Sequence, residues 1–363
     1  MDNEYLHGGD VFGASRNLKR SLREIYDFSA SINPLGPSPA ALAAIKNNLE
    51  LIKFYPDPHC LDLRRAISRY LNVPMENILL GNGASELIYL LARVLGCRHA
   101  LVPAPTFIEY TAAVKGAGGT VSEVALDETD GFALPARRVN KALRGVDVIF
   151  ICNPNNPTGR AEKQSTIKLI IEAARERNIT IIVDEAFMDF VNGREQCTVL
   201  PLIEQYPNLV VLYSLTKFFG IPGLRLGVLL GNSALVQKIN LIKDPWNVNS
   251  LAQIAGVASL LDVSYMEETK RLVDREREFL YRSICEIPGL QAFPGDANYL
   301  LVKICKQRIT STVLAARTAQ RGVLVRDCST FRGLGSSYIR VAVRTRKENA
   351  VLLEALAEAM KGA

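Results

Sequence analysis

Short, nearly continuous apolar runs punctuate the middle of the chain, at 148–152, 179–183, 210–214 and 226–230. Runs of that length, rich in Val and Ile, are the pattern of strands buried on both faces. Between the first two lies 161–177. There Ile167, Ile170, Ile171 and Ala174 recur at helical spacing, with charges on the opposite face. Strand, helix and strand at this spacing form a βαβ unit. The chain is therefore expected to be α/β, with a mostly parallel central sheet flanked by helices.

The last hundred residues have a different rhythm. Positions 267–287 read as a long charged amphipathic helix, and 297–302 and 337–343 as strands. Thr345-Arg346-Lys347-Glu348 is a capping box, opening a helix that carries Leu352, Leu353, Leu356 and Met360 on one face. This pattern predicts a smaller α+β domain over 251–363, a large domain over 46–250, and an N-terminal arm, 1–45. Pro34, Gly36, Pro37 and Pro39 mark that arm as loop rather than core.

Composition narrows the function. The chain has 363 residues, of which 48% are hydrophobic, so it can bury a full core without a staple. Lysine plus arginine is 43 and aspartate plus glutamate 37, a net +6 spread along the chain. That balance mildly favours anionic small molecules, and without a basic tract it predicts no nucleic-acid partner. No apolar run reaches the ~18 residues of a membrane span, and positions 1–10 lack a signal-peptide core, so no membrane partner and a cytoplasmic setting are expected. The seven cysteines, Cys60, Cys97, Cys152, Cys197, Cys285, Cys305 and Cys328, form no CxxC pair. They are read as reduced, mostly buried thiols, with no metal.

Four segments carry chemistry. Ser214-Leu215-Thr216-Lys217 follows a buried strand and leads to Arg225. Desolvation there disfavours the ammonium form of Lys217 and makes it a nucleophile toward carbonyls. Ser214 and Arg225 are suited to a phosphate. The bland alternative is a lysine snorkelling at a strand end. Asp184, in Val183-Asp184-Glu185, ends another buried strand, where α/β sheets place ligands, although a helix cap has the same look. Asn153-Pro154-Asn155-Asn156-Pro157-Thr158-Gly159 is a stiff loop presenting amides, or else a plain turn. Gly81-Asn82-Gly83-Ala84-Ser85-Glu86 precedes a helical run and offers an anion free N–H groups, or else Ser85 is a simple cap.

Taken together, in the order phosphate cup, asparagine loop, aspartate, lysine, these segments resemble the fold-type I pyridoxal-phosphate enzymes of the class I/II aminotransferase family. The diagnostic parts are Asn156-Pro157-Thr158-Gly159 and Ser214-Leu215-Thr216-Lys217, and the resemblance spans essentially the whole chain. It implies pyridoxal 5'-phosphate as cofactor, held covalently by Lys217. Asp184 would pair with the ring nitrogen and Asn156 with the ring hydroxyl. Gly83, Ala84, Ser85, Ser214 and Arg225 would hold the cofactor phosphate, and Phe107 would stack on the ring. Tyr55 would reach the cofactor phosphate of a neighbouring subunit, which implies a homodimer with a shared site. Arg340 would bind the substrate carboxylate.

Within the family, two branches compete: decarboxylation of L-threonine O-3-phosphate in cobamide synthesis, and transamination of histidinol phosphate. His7-Gly8-Gly9, the stretch from Asp27 to Gly36 and Arg340-Val341-Ala342-Val343-Arg344 resemble the decarboxylating branch. So does Phe187, where aminotransferases usually carry a tyrosine. His7 and Arg326 would then meet the substrate phosphate. Ser31 departs from the asparagine usual in that branch, and bears on whether phosphoserine is accepted beside phosphothreonine. A non-catalytic effector module lacks room for a DNA-binding segment ahead of residue 45. A dinucleotide oxidoreductase lacks its GxGxxG motif.

Overall fold

The computed structural model describes residues 7–361; most of the polar opening stretch, read above for the absence of a signal peptide, lies outside them. The strands in chain order are β1 (Tyr26–Asp27), β2 (Ile78–Asn82), β3 (His99–Ala104), β4 (Thr120–Ala125), β5 (Val148–Cys152), β6 (Thr180–Asp184) and β7 (Leu209–Ser214). Then follow β8 (Leu226–Gly231), β9 (Leu290–Ala292), β10 (Tyr299–Ile304), β11 (Val323–Leu324), β12 (Arg326–Asp327) and β13 (Tyr338–Ala342). The helices are α1 (Val11–Leu18), α2 (Pro39–Asn47), α3 (Leu61–Leu71), α4 (Gly83–Val94), α5 (Glu109–Gly116), α6 (Ala136–Lys141) and α7 (Gln164–Arg175). They continue with α8 (Leu215–Phe218), α9 (Ser233–Asn240), α10 (Ser250–Leu261), α11 (Val263–Cys285), α12 (Ser311–Gln320) and α13 (Arg346–Lys361).

A seven-stranded sheet in the order β2-β8-β7-β6-β5-β3-β4 carries the site. The pairs joining β7, β6, β5, β3 and β4 are parallel, while β8 runs antiparallel to both β7 and β2. The apolar runs are continuous because both faces are covered. Ile149, Ile151, Ile181 and Val183 join one core, while Val148, Phe150 and Ile182 join the other. Helix α7 buries the four positions its spacing predicts. A second, antiparallel sheet has the order β12-β13-β10-β9.

The structure shifts some boundaries for local reasons. The strand expected at 297–302 begins at Tyr299, because the amides of Asp296 and Ala297 are spent on the Gly159 carbonyl. The long helix starts at Val263 rather than 267, since Asp262 caps it by accepting from the Tyr265 N–H. The capping box forms: the Thr345 N–H and hydroxyl donate to Glu348 at 3.1 and 2.6 Å.

The first 45 residues are more than loop. Strand β1 pairs in parallel with β11, and Phe28 beside it is fully buried. The Phe28 N–H donates to the Leu324 carbonyl and its carbonyl accepts from Ala342. Pro39, taken as a loop marker, is the first residue of α2, where a missing N–H costs nothing; Ser38 caps that helix.

Replacing Phe28 by Ala removes the ring that ties this segment to the core. It is expected to cost ~3–5 kcal/mol of folding free energy, measured by urea unfolding.

Candidate active site

The chemistry converges at the carboxyl ends of the parallel strands. Cys152, which ends β5, is in register with Asp184, and Asp184, which ends β6, with Leu212 near the end of β7. Because β8 is antiparallel, its first residues lie at this same edge. Leu226 pairs with Asn82 and Gly227 with Ser214. Arg225, one residue earlier, is thereby delivered beside the N-terminus of α4. An all-parallel sheet would have left it at the far edge.

The anion cradle is built by close backbone approach. A Cβ on Gly83, whose φ is +81°, would lie 2.4 Å from the Arg225 guanidinium. A Cβ on Gly227 would lie 2.3 Å from the Ala84 nitrogen. Only glycine fits either place. The first turn of α4 keeps its N–H groups uncapped by the Asn82 side chain. Ser214 caps α8, accepting from the Thr216 N–H, and its hydroxyl shares a hydrogen bond with the Thr216 hydroxyl at 2.7 Å.

Above the cradle opens a cavity of about 730 Å³. Ala84, Ser85, Phe107, Asn156, Asp184, Ser214, Lys217 and Arg225 line it, as do His7, Ser31, Arg326 and Arg340. Tyr55 does not: it is 79% exposed and stacks on Trp246, with ring centroids 4.5 Å apart.

Asp184 sits at the cavity floor. Burial pushes its carboxyl upward, opposed by the Tyr110 hydroxyl, which donates to Oδ2 at 2.8 Å, by the Ala186 N–H, which donates to Oδ1 at 3.0 Å, and by Lys217. Desolvation, then Arg225 and Arg340, push the Lys217 amine down to about 8, so roughly a tenth of it is neutral at pH 7, far more than for an ordinary lysine.

The opposite wall is cationic. Arg340 donates through Nη1 to Asn156 Oδ1 at 2.5 Å and through Nη2 to the Ser29 carbonyl at 2.7 Å, and lies over the Tyr299 ring. Among the described residues its Nε has no hydrogen-bond partner, nor does the buried Ser31 hydroxyl. Arg326 is also buried; Nη2 donates to the Thr330 hydroxyl at 3.1 Å. Among the described residues neither guanidinium pairs with a carboxylate at salt-bridge distance. His7 Nε2 meets Glu109 Oε1 at 2.8 Å, and its ring lies 6.0 Å from that of Phe107.

The pattern of the class I and II aminotransferases matches residues 23–356. The chain belongs to that family. Within the family it is 36% identical to the threonine-phosphate decarboxylase of Salmonella typhimurium, over 98% of this chain and 97% of that one. The histidinol-phosphate aminotransferase structure from Clostridium acetobutylicum superposes with a TM-score of 0.87 at 30% identity, covering 93% of this chain and 100% of that one. The L-threonine-O-3-phosphate decarboxylase structure from Porphyromonas gingivalis does so with a TM-score of 0.82 at 26% identity, with the same coverages.

Sequence reasoning missed Tyr110, Glu109 and Thr216 as partners of site residues. Thr216 lay inside a motif already singled out. Nothing in the spacing announces that Tyr110 meets a carboxylate 74 positions away.

Two outcomes follow from this geometry. Trapping of an aldehyde on Lys217 with borohydride, followed by mass spectrometry, should rise with pH around a midpoint of about 8; a midpoint near 10 contradicts the desolvated site. Gly227→Ala should weaken binding of a phosphate-bearing ligand at least about tenfold, or ~1.4 kcal/mol, by calorimetry.

Proposed function

We propose that this family member binds pyridoxal 5'-phosphate and decarboxylates L-threonine O-3-phosphate, releasing CO₂ and (R)-1-amino-2-propanol O-2-phosphate, a reaction that belongs to cobamide synthesis. The observation that carries the reading is the pair of buried guanidinium groups, Arg326 and Arg340, facing the cavity without carboxylate partners. A buried cation is costly until an anion meets it. A phosphorylated amino acid supplies two anionic groups, one for each arginine. Histidinol phosphate carries only its phosphate, and in transamination two anionic groups enter together only with 2-oxoglutarate. The phenyl ring of Phe187, edge-on to Tyr299 in the cavity wall, offers no hydroxyl to a cofactor.

The residues fit the cofactor. The two glycine contacts keep open a cradle that Ser85, Ser214 and Arg225 turn into a phosphate site. Asp184 is a buried carboxylate whose burial outweighs Lys217 and its hydrogen-bond donors, so a further cation would stabilise its charge, and Lys217 is amine enough to hold an aldehyde. When bound, the cofactor supplies an electron sink for the pair left at the substrate Cα. Asn156 supports both the Arg340 fork and the cofactor's ring hydroxyl. Arg340 grips the substrate carboxylate, and its orphaned Nε gives it a donor to spare. Arg326, with His7 held by Glu109, anchors the phosphate. Ser31 presents its unpartnered hydroxyl to the same substrate. After CO₂ leaves, Lys217 Nζ carries the proton that Cα takes up. That role suits an amine titrating near 8.

The chain acts as a homodimer in this reading. Ile52, Phe54, Tyr55 and Trp246 are exposed apolar side chains suited to an interface, from which Tyr55 would reach the cofactor phosphate of a second copy. The seven unpaired cysteines accord with a cytoplasmic setting.

Incubation with phosphothreonine should release CO₂, while histidinol phosphate with 2-oxoglutarate should yield no keto-acid exchange; the reverse result selects the aminotransferase. Lys217→Ala should abolish turnover and the visible absorption of the bound cofactor. Arg326→Ala should raise KM for phosphothreonine by roughly 30-fold or more, the ~2–5 kcal/mol scale of a buried charged partner. A parallel assay with phosphoserine reads the methyl tolerance of the Ser31 wall.

A further inference from the structure

In the pyridoxal-phosphate reading Asp184 would hold the cofactor's ring nitrogen protonated, yet its surroundings work against charge. It is buried at the end of β6, and the cation that acts on its carboxyl is Lys217, whose own charge is weakened by desolvation. Two donors oppose the desolvation. One is the Ala186 N–H, fixed by the backbone. The other is a side chain, the Tyr110 hydroxyl, 2.8 Å from Oδ2.

Tyr110 is held for this bond. It is fully buried in the first turn of α5, and its ring stacks on Phe150 of β5 at 5.1 Å and 13°. Phe107, in the cavity wall, meets it edge-on at 5.6 Å and 82°. These contacts fix the ring on two sides, so the hydroxyl is presented to Asp184 without further ordering cost. The other titratable groups around the carboxyl are Cys152 and Tyr299. Burial pushes the Cys152 thiol up to about 12 and the Tyr299 and Tyr110 phenols well above their ordinary range. All three stay neutral through the working pH range, and Tyr110 remains a donor throughout.

We propose that Tyr110 is a positioning residue that keeps Asp184 ionised and thereby keeps the cofactor's ring nitrogen protonated. It rests on the pyridoxal-phosphate reading above and assigns part of that site's electronics to a side chain that touches neither cofactor nor substrate. Without the hydroxyl, Asp184 Oδ2 loses its donor, the carboxyl rises further, and the shared proton moves from ring nitrogen to carboxylate.

The test uses holoenzyme loaded with pyridoxal phosphate carrying ¹⁵N in the ring. In the unaltered protein the ring-nitrogen resonance should stay in the protonated range up to pH 9. In Tyr110→Phe, which removes one oxygen and keeps the stack, that proton should be lost at least one pH unit lower. Its kcat should fall about tenfold, with KM for phosphothreonine changed less than twofold. A ¹⁵N profile in Tyr110→Phe that coincides with the unaltered enzyme overturns the proposal. Should the variant not fold, loss of the ring proton below pH 8 in the unaltered holoenzyme overturns it equally, and retention to pH 9 supports it. Failure of the unaltered protein to take up the labelled cofactor at all sinks the functional reading instead, and this inference with it.

Discussion

The site is organised by an imbalance of buried charge. Lys217, Arg225, Arg326 and Arg340 face one cavity, with Asp184 as its most deeply buried carboxylate and Asp27 and Glu109 also in its lining, the latter engaged by His7. In water such an excess is trivial; in a desolvated cleft it is costly to leave uncompensated. The protein answers it partly by letting Lys217 lose its proton readily and partly by leaving guanidinium groups for ligands to neutralise. In the proposed reading, a doubly anionic small molecule supplies the counter-charge that Arg326 and Arg340 do not find among the described residues.

The scaffold makes that imbalance tolerable. Parallel strands packed on both faces place their carboxyl ends in one row, and the single reversed strand β8 inserts Arg225 into it. The N-terminal segment closes the other side. Its Ser29 carbonyl accepts from Arg340, and Phe28 beside it is locked into the small sheet through β11 and β13. Cavity-lining groups from residues 7–31 are thus anchored by packing away from the cavity.

Much of this was legible in the chain. Strands β5 to β8 stood out as apolar runs because burial on both faces removes polar positions. Lys217, Asp184 and Asn156 stood out because each lies within four residues of the end of such a run, where α/β sheets place ligands. The partnerships did not stand out. His7 with Glu109 spans 102 positions and Arg340 with Asn156 spans 184, and periodicity carries no signal over such separations. The proline-rich opening misled for a different reason: proline marks a helix's first turn as readily as a loop.

The amino-acid order by itself determined the α/β class, the family and the reactive groups, because those depend on local pattern and on residue type at strand ends. Tertiary structure alone decided the direction of β8, the closeness of Gly227 to Ala84 and the bond from Tyr110 to Asp184. Each arises only when distant segments pack, and local sequence carries no record of which backbone will lie against which.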